Sequence, residues 1–305
     1  MTTVQTNKIL REGPFAGAIE EVACPICAQP PVAKLIYRRD NGVGIWQCPA
    51  CEVMYASPRF TEEALLAIYE TPDFFPADDL KKFENFSHGQ WQASGAETYV
   101  VSALKAANIK RYLTPGDRVL DVGCGIGLFV LEGRQQGFLT EGVEPSKMLT
   151  DIARNRIGID VHNMLIEDFS PPHRFHGVGL WDVLEHVYDP VRILKRCFAL
   201  TEEGGYIFVS VPNFAGLADR LQTLLHRLRL RRCGFKHFGF PWHVYSYNRR
   251  SLGMLLAKMG YTPLTFETWS HNVRTGKANH LSSLTDALIR KHCLASNVSC
   301  VARKI

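Results

Sequence analysis

The stretch Val119-Leu120-Asp121-Val122-Gly123-Cys124-Gly125-Ile126-Gly127 decides how this chain is read. Its apolar start, preceded by the turn residues Thr114-Pro115-Gly116-Asp117, reads as a buried strand. An acid, Asp121, is followed by three glycines at alternate positions. Glycines this dense serve where a backbone turns sharply and a ligand must lie against it, because a Cβ would block the approach. Leu128 to Gln136, closed by Gly137, reads as a helix with a glycine cap. The unit is therefore strand, glycine loop and helix, with a ligand at the helix N-terminus.

Spacing narrows the ligand. A dinucleotide loop has the form G-x-G-x-x-G and places a pyrophosphate on the helix start. Here Leu128 stands where the third glycine of that pattern belongs. The next expected strand, Phe138 to Val143, ends in Glu144, and a carboxylate there can accept from both hydroxyls of a ribose. A ribose-gripping acid without a pyrophosphate loop points to a nucleoside that carries no diphosphate.

Further segments follow in a set order: Gly142-Val143-Glu144-Pro145-Ser146, Ile166-Glu167-Asp168, Trp181-Asp182-Val183-Leu184-Glu185-His186-Val187 with Asp189-Pro190, Gly204-Gly205-Tyr206 to Pro212-Asn213, and His243-Val244-Tyr245-Ser246. Together with Asp121 to Gly127 they resemble the class I S-adenosylmethionine-dependent methyltransferases, small-molecule type, over about two-thirds of the chain (Lys105 to Ile305). The resemblance implies a Rossmann-like seven-stranded α/β sheet with helices on both faces. It implies S-adenosyl-L-methionine as cofactor, held by Asp121, Gly123, Gly125, Gly127, Glu144 and Asp182, with Ile166 and Glu167 on the adenine side. The family often has Asp where His176 stands and an acid near Leu165. Those departures touch strand entry and adenine contact, not the transfer chemistry.

An apolar content of 46% with 21% charged residues describes an ordinary globular protein, and a net charge of +5 is too small over 305 residues to imply nucleic acid. The first twenty residues hold no apolar signal core, and no run approaches a membrane span, so the expected location is the cytoplasm. Of nine cysteines, five are scattered singly, whereas Cys24-Pro-Ile-Cys27 and Cys48-Pro-Ala-Cys51 form two knuckles. Four thiolates so spaced match a structural zinc ribbon, and the segment between them reads as two strands, Ala33 to Arg38 and Gly44 to Gln47, turning at Asp40-Asn41-Gly42. A ribbon this small depends on its metal to fold and is expected to form a unit apart from the cofactor site.

The expected organisation is a lead-in over 1–21, the ribbon over 22–57, a helical and aromatic connecting segment over 58–113, and the methyltransferase domain over 114–305. Thr61 caps a helix from Glu62 to Tyr69, and another helix runs from about Ser94 to Leu113. The Phe-rich stretch Thr71 to Trp91 serves either as a lid over the acceptor or as packing between ribbon and main domain. Asp189-Pro190 opens a helix. Tyr261 to Trp269 and Val298 to Ala302 read as strands, which the resemblance makes the antiparallel edge pair, with an insertion between them.

Methyl transfer from a sulfonium is a displacement that needs alignment, exclusion of water and, for a hydroxyl acceptor, a proton acceptor. His186, after the fourth strand, lies at the carboxyl edge where open α/β sheets bind ligands, and His243 is the second candidate base. His186 could instead orient its loop. No cluster of acids for a divalent cation is evident in the sequence. Leu217, Leu221, Leu224, Leu225 and Leu228 fall on one helical stripe among Arg220, Arg227, Arg229, Arg231 and Arg232. That helix either caps the core with its leucines or offers a basic surface to an anionic acceptor or membrane leaflet. Its start, after Asn213, places the acceptor pocket between it and His186. The expected activity is transfer to a small-molecule oxygen (sugar, quinone-like or natural-product precursor), with carbon and nitrogen open. The alternative is an RNA methyltransferase using the ribbon to bind RNA. Against it, the Asn/Asp-Pro-Pro-aromatic motif of base-amino methyltransferases is replaced by Asp182 to His186.

Overall fold

The computed structural model describes residues 18–27, 34–38, 42–69, 97–217, 243–269 and 291–305, together with Arg220, Leu221, Leu224, Leu225, Leu228, Leu288 and Ile289. The stretch Thr71 to Trp91, the hairpin tip Asp40-Asn41 and the arginines at 227, 229, 231 and 232 lie outside them.

The glycine stretch behaves as its composition dictates. Strand β6 (Arg118–Val122) is buried from Val119 onward, and the chain then turns through Gly123, Gly125 and Gly127 into a helix at Leu128–Gln135. Parallel strands flank it: β7 (Leu139–Val143) on one side and β8 (Phe175–Trp181) on the other. Beyond β8 lies β9 (Thr201–Pro212), parallel to it, then β12 (Asn297–Lys304) and β11 (Tyr261–Trp269), both antiparallel. The order is 11-12-9-8-6-7. Strand β8 is sandwiched on both faces, which is why its sequence is a nearly unbroken apolar run.

Six strands form this sheet among the described residues. The seventh position, outside β7, is held by a single parallel bridge, Val143 to His162. There the Glu144 amide donates to the His162 carbonyl (2.9 Å) and the His162 amide to the Gly142 carbonyl (2.8 Å). The segment around it, Gly158 to Asn163, follows a π-helical turn at Ala153–Ile157 and ends in tight turns, so there is no room for a longer ladder.

Helix formation follows local signals. Asp189 caps the helix Pro190–Leu200 by accepting from the Arg192 amide (2.9 Å), and its buried residues Ile193, Leu194, Cys197 and Leu200 recur at helical spacing. His176 occupies its strand-entry position by accepting the Arg118 amide on Nδ1 (3.0 Å), the service a carboxylate would give there.

The N-terminal segment is joined to the rest more intimately than its spacing implies. Strands β2 (Lys34–Arg38), β3 (Gly44–Gln47) and β4 (Met54–Ser57) form an antiparallel meander, and the short β1 (Ile19–Glu20) and β5 (Arg59–Phe60) pair antiparallel with each other. Its edge is extended by β10 (Tyr245–Ser246), from the far end of the chain. Cys24, Cys48, Cys51 and Tyr55 share one core with Leu184, Tyr245 and Tyr247. Where the sequence predicts a unit apart, the structure pairs β4 with β10 and gives the two parts a shared core.

A second correction concerns the leucine stripe. Leu217, Leu221 and Leu224 are helical, and together with Leu228 they are 52–58% exposed; only Leu225 is half-buried. The stripe does not cap the core.

Candidate functional site

Because the chain leaves β6 to one side and returns to β8 on the other, the sheet's carboxyl edge opens between those strands, where α/β sheets hold ligands. A cavity of about 620 Å³ lies there. Its floor is Val122, Gly123, Val143 and Glu144; one side is Leu165, Ile166 and Glu167; the other is Asp182, Val183, His186 and Tyr188. Such a volume lies within the range of about 300–1,000 Å³ usual for small-molecule sites.

The glycine loop is pinned from β7. The Gly123 amide donates to the Val143 carbonyl (2.8 Å), and the Glu144 carboxylate accepts the Gly125 amide (3.0 Å) and, through its other oxygen, the Ser146 amide (2.9 Å). Gly123 has φ +66°, and a Cβ there would meet Val183 at 2.9 Å. Gly125 has φ +57°, and a Cβ there would point into open space, so its lack of a side chain leaves room above the loop. Burial raises the pKa of Glu144. Asp121 is buried beneath the loop, and burial, reinforced by the charge of Glu144 and opposed by Lys105, pushes its pKa up to about 7. A carboxylate kept so costly to ionise is poised to receive a cationic group.

Asp182 takes the left-handed conformation (φ 59°) where β8 ends, a strained backbone of the kind that gathers at ligand sites. Beyond it His186 lies against His243, ring centroids 4.6 Å apart and nearly perpendicular. Glu185 completes this group: its carboxylate, His186 and His243 bring one ligand atom each within 4.8 Å of one another. Glu185 is 1% exposed, one of its oxygens has no hydrogen-bond partner, and burial with the charge of Asp182 raises its pKa well above the carboxylate range. A sequence reading for clustered acids finds nothing here, because the cluster holds one acid, its neighbour His186, and His243 from 57 residues further along the chain.

Of the sequence-predicted residues, Gly123, Glu144, Ile166, Glu167, Asp182 and His186 line the cavity. Asp121 lies below it, Gly125 and Gly127 shape the loop, and His243 joins through His186. No described residue of the leucine helix lines it; Arg220 lines a separate cavity of about 390 Å³. Among the described residues, the wall near His186 comes from the N-terminal segment, through Glu62, Leu65 and Leu66. Sequence reasoning missed Leu65 and Leu66 of the helix Glu62–Tyr69, which form a wall. It also missed Arg192, which clamps that helix by pairing with Glu62 (2.6 Å) and Glu167 (2.9 Å). The helix and its opener Thr61 are legible in the sequence; nothing local tells where the helix docks.

The four predicted cysteine ligands converge, with Sγ atoms of Cys24 and Cys51 3.5 Å apart and those of Cys27 and Cys48 3.9 Å apart. Bonds of about 2.3 Å from one tetrahedral zinc would set its sulfurs about 3.8 Å apart, so the donors fit that ion. Hydrogen bonding from Cys51 lowers the pKa of the Cys24 thiol, the direction that metal ligation requires.

Residues 96–265 match the model of a methyltransferase domain family. Ubiquinone biosynthesis O-methyltransferase of Coxiella burnetii (strain RSA 493 / Nine Mile phase I) is 32% identical over 145 residues, 45% of this chain and 62% of that protein. The protein of the same name from Xanthomonas campestris pv. campestris (strain B100) is 30% identical over 154 residues, 47% of this chain and 64% of that one. The match thus spans less than two-thirds of these relatives. Magnesium protoporphyrin IX methyltransferase of Synechocystis PCC 6803, solved with bound SAH, aligns with 80% of this chain and 100% of its own at TM-score 0.51 and 14% identity. The 1,6-didemethyltoxoflavin-N1-methyltransferase of Burkholderia thailandensis aligns with 88% and 98% at TM-score 0.50 and 16% identity. These last two likenesses concern the fold.

Proposed function

The chain belongs to the methyltransferase domain family, and from that premise we propose that it transfers a methyl group from S-adenosyl-L-methionine to an oxygen of a small, quinol-like molecule. The observation that carries this reading is the pairing of an open glycine loop with Glu144 across the β6–β7 edge, facing a cavity with an imidazole pair on its other side. Glu144 would hold the ribose diol, Leu165 to Glu167 would line the adenine, and Asp121 would answer the cationic methionine end. The preference for oxygen rests on the relatives in ubiquinone biosynthesis.

On this reading a hydroxyl acceptor loses its proton toward His186, which His243 orients. His186→Ala should lower turnover by about 10²–10⁴-fold while cofactor affinity holds. Labelled methyl transfer to a set of soluble catechols tests it, and unchanged turnover would exclude His186 as the base. A second reading is favoured by Glu185: with His186 and His243 it offers a carboxylate and two imidazoles, a set that suits a divalent transition metal able to acidify a hydroxyl. Turnover that falls with chelation and returns with one added cation would favour it over the free-base form.

The cysteines would hold one structural zinc. The exposed leucines, with the arginines of the 217–232 segment, would rest on an anionic lipid surface.

A further inference from the structure

Behind the cavity wall that contains Tyr188 lies a buried charge from the N-terminal segment. Arg59 is 6% exposed. Its Nη1 donates to the Tyr245 phenol oxygen (2.7 Å), its Nη2 to the Tyr188 carbonyl (3.2 Å), and its Nε to Glu20 (2.8 Å). The guanidinium also lies over the Tyr188 ring, 4.1 Å from its centroid, and the Tyr245 hydroxyl donates to the same Tyr188 carbonyl (3.0 Å). Burying a guanidinium opposite one half-exposed carboxylate is costly, and an apolar side chain would fill the space more cheaply. What the charge adds is direction: a planar fork fixes three acceptors at once.

Two of those acceptors belong to the turn after β8 and the strand after His243; the third is Glu20, near the ribbon's start. The amides of Val244 and Tyr245 both donate to the Glu185 carbonyl (2.8 and 3.2 Å), and the Ala56 amide of β4 donates to the Val244 carbonyl (3.0 Å). The cysteine ribbon, β10 and the Glu185–Tyr188 turn are therefore hydrogen-bonded in series, with Arg59 bridging the ends. Leu65 and Leu66, in the helix just after Arg59, close the same cavity.

We infer that Arg59 is a positioning residue for methyl transfer, through which the metal-holding ribbon fixes Tyr188 and the His186–His243 pair on the acceptor side of the cavity. The inference rests on the methyl-transfer reading. It makes the ribbon part of the reaction chamber, acting on the acceptor and not on the cofactor, whose proposed anchors Asp121, Gly125 and Glu144 lie on or just after β6 and β7.

The test uses full-length, zinc-loaded Arg59→Met and Arg59→Lys variants. Zinc content, S-adenosylmethionine affinity by calorimetry, and kcat and KM for labelled transfer to a soluble catechol are measured on each. Arg59→Met should keep its zinc and hold the cofactor Kd within about threefold, yet lose about 100-fold in kcat/KM, the scale of an ångström's misplacement of reacting groups. Arg59→Lys, which restores the charge but not the fork, should recover about tenfold of that loss. Hydrogen exchange reads the same coupling without turnover: the Val244 and Tyr245 amides should exchange about tenfold faster in Arg59→Met. If Arg59→Met does not fold, Tyr245→Phe removes one of the bridge's hydroxyls at constant volume and carries the same expectations, about tenfold in kcat/KM. A folded variant with unchanged kcat/KM and unchanged protection at Val244 and Tyr245 overturns the inference. Wild-type protein that binds the cofactor but methylates no catechol defeats the proposed acceptor class instead, and the exchange measurement still decides the role of Arg59.

Discussion

The carboxylate of Glu144 accepts the backbone N–H of Gly125 at 3.0 Å, so the residue expected to grip a ribose also fixes the loop beneath it. Each carboxylate oxygen holds one amide and retains a lone pair for a ligand hydroxyl. Glu144→Ala removes ligand contacts and loop support together. Its cofactor affinity should fall by about 1–3 kcal/mol, as calorimetry will read, whereas Glu144→Gln, which keeps acceptor capacity on one atom, should lose less.

Asp121 gives the site a pH dependence with a definite sign. Its folded pKa, pushed up to about 7, exceeds the unfolded value, so the folded chain binds this proton more tightly. Its contribution to stability is complete below about pH 4 and is lost as pH rises toward and through about 7. Asp121→Asn removes that dependence: the apo variant should be more stable than wild type at about pH 8, by at most about 4 kcal/mol, with the gap closing near about pH 4. Urea unfolding across that range measures it. Cofactor affinity should rise through about pH 7 in wild type and stay flat in the variant.

The fused core changes what loss of the metal should do. Because Cys24 and Cys51 pack in one cluster with Tyr245 and Leu184, Cys24→Ser should lower the midpoint of the whole chain's unfolding, by more than about 3 kcal/mol, together with loss of one zinc per chain. Elemental analysis and calorimetric melting check both. An early, separate transition with the main one unmoved would restore a picture of independent units.

The exposed leucines predict contact with lipid. Leu221→Glu combined with Leu224→Glu should abolish sedimentation with anionic vesicles and leave the melting temperature within about 2 °C, since neither side chain is buried. Equal partitioning of wild type and variant would count against a membrane surface.

What was legible in the sequence was local. The glycine loop, Glu144 and the Asp189-Pro190 helix start each announce themselves by residue types that few other conformations tolerate, and the cysteine knuckles by their spacing. The pairing of β4 with β10 was not legible, because Tyr245 and Tyr55 meet across 190 residues and no short pattern records a partner at that distance. For the same reason no local pattern marks Arg59, or the convergence of Glu185 with His243. The leucine stripe misled in the other direction: helical periodicity shows that a face exists, not what covers it.

Calorimetric titration of zinc-replete protein with S-adenosyl-L-methionine tests the central claim most directly. One site per chain with micromolar affinity is expected in wild type, and none in Gly125→Val, whose side chain would occupy the open space above the loop on a backbone at φ +57°. Folded wild-type protein that gives no heat with S-adenosyl-L-methionine, yet binds a nicotinamide dinucleotide, would contradict the account.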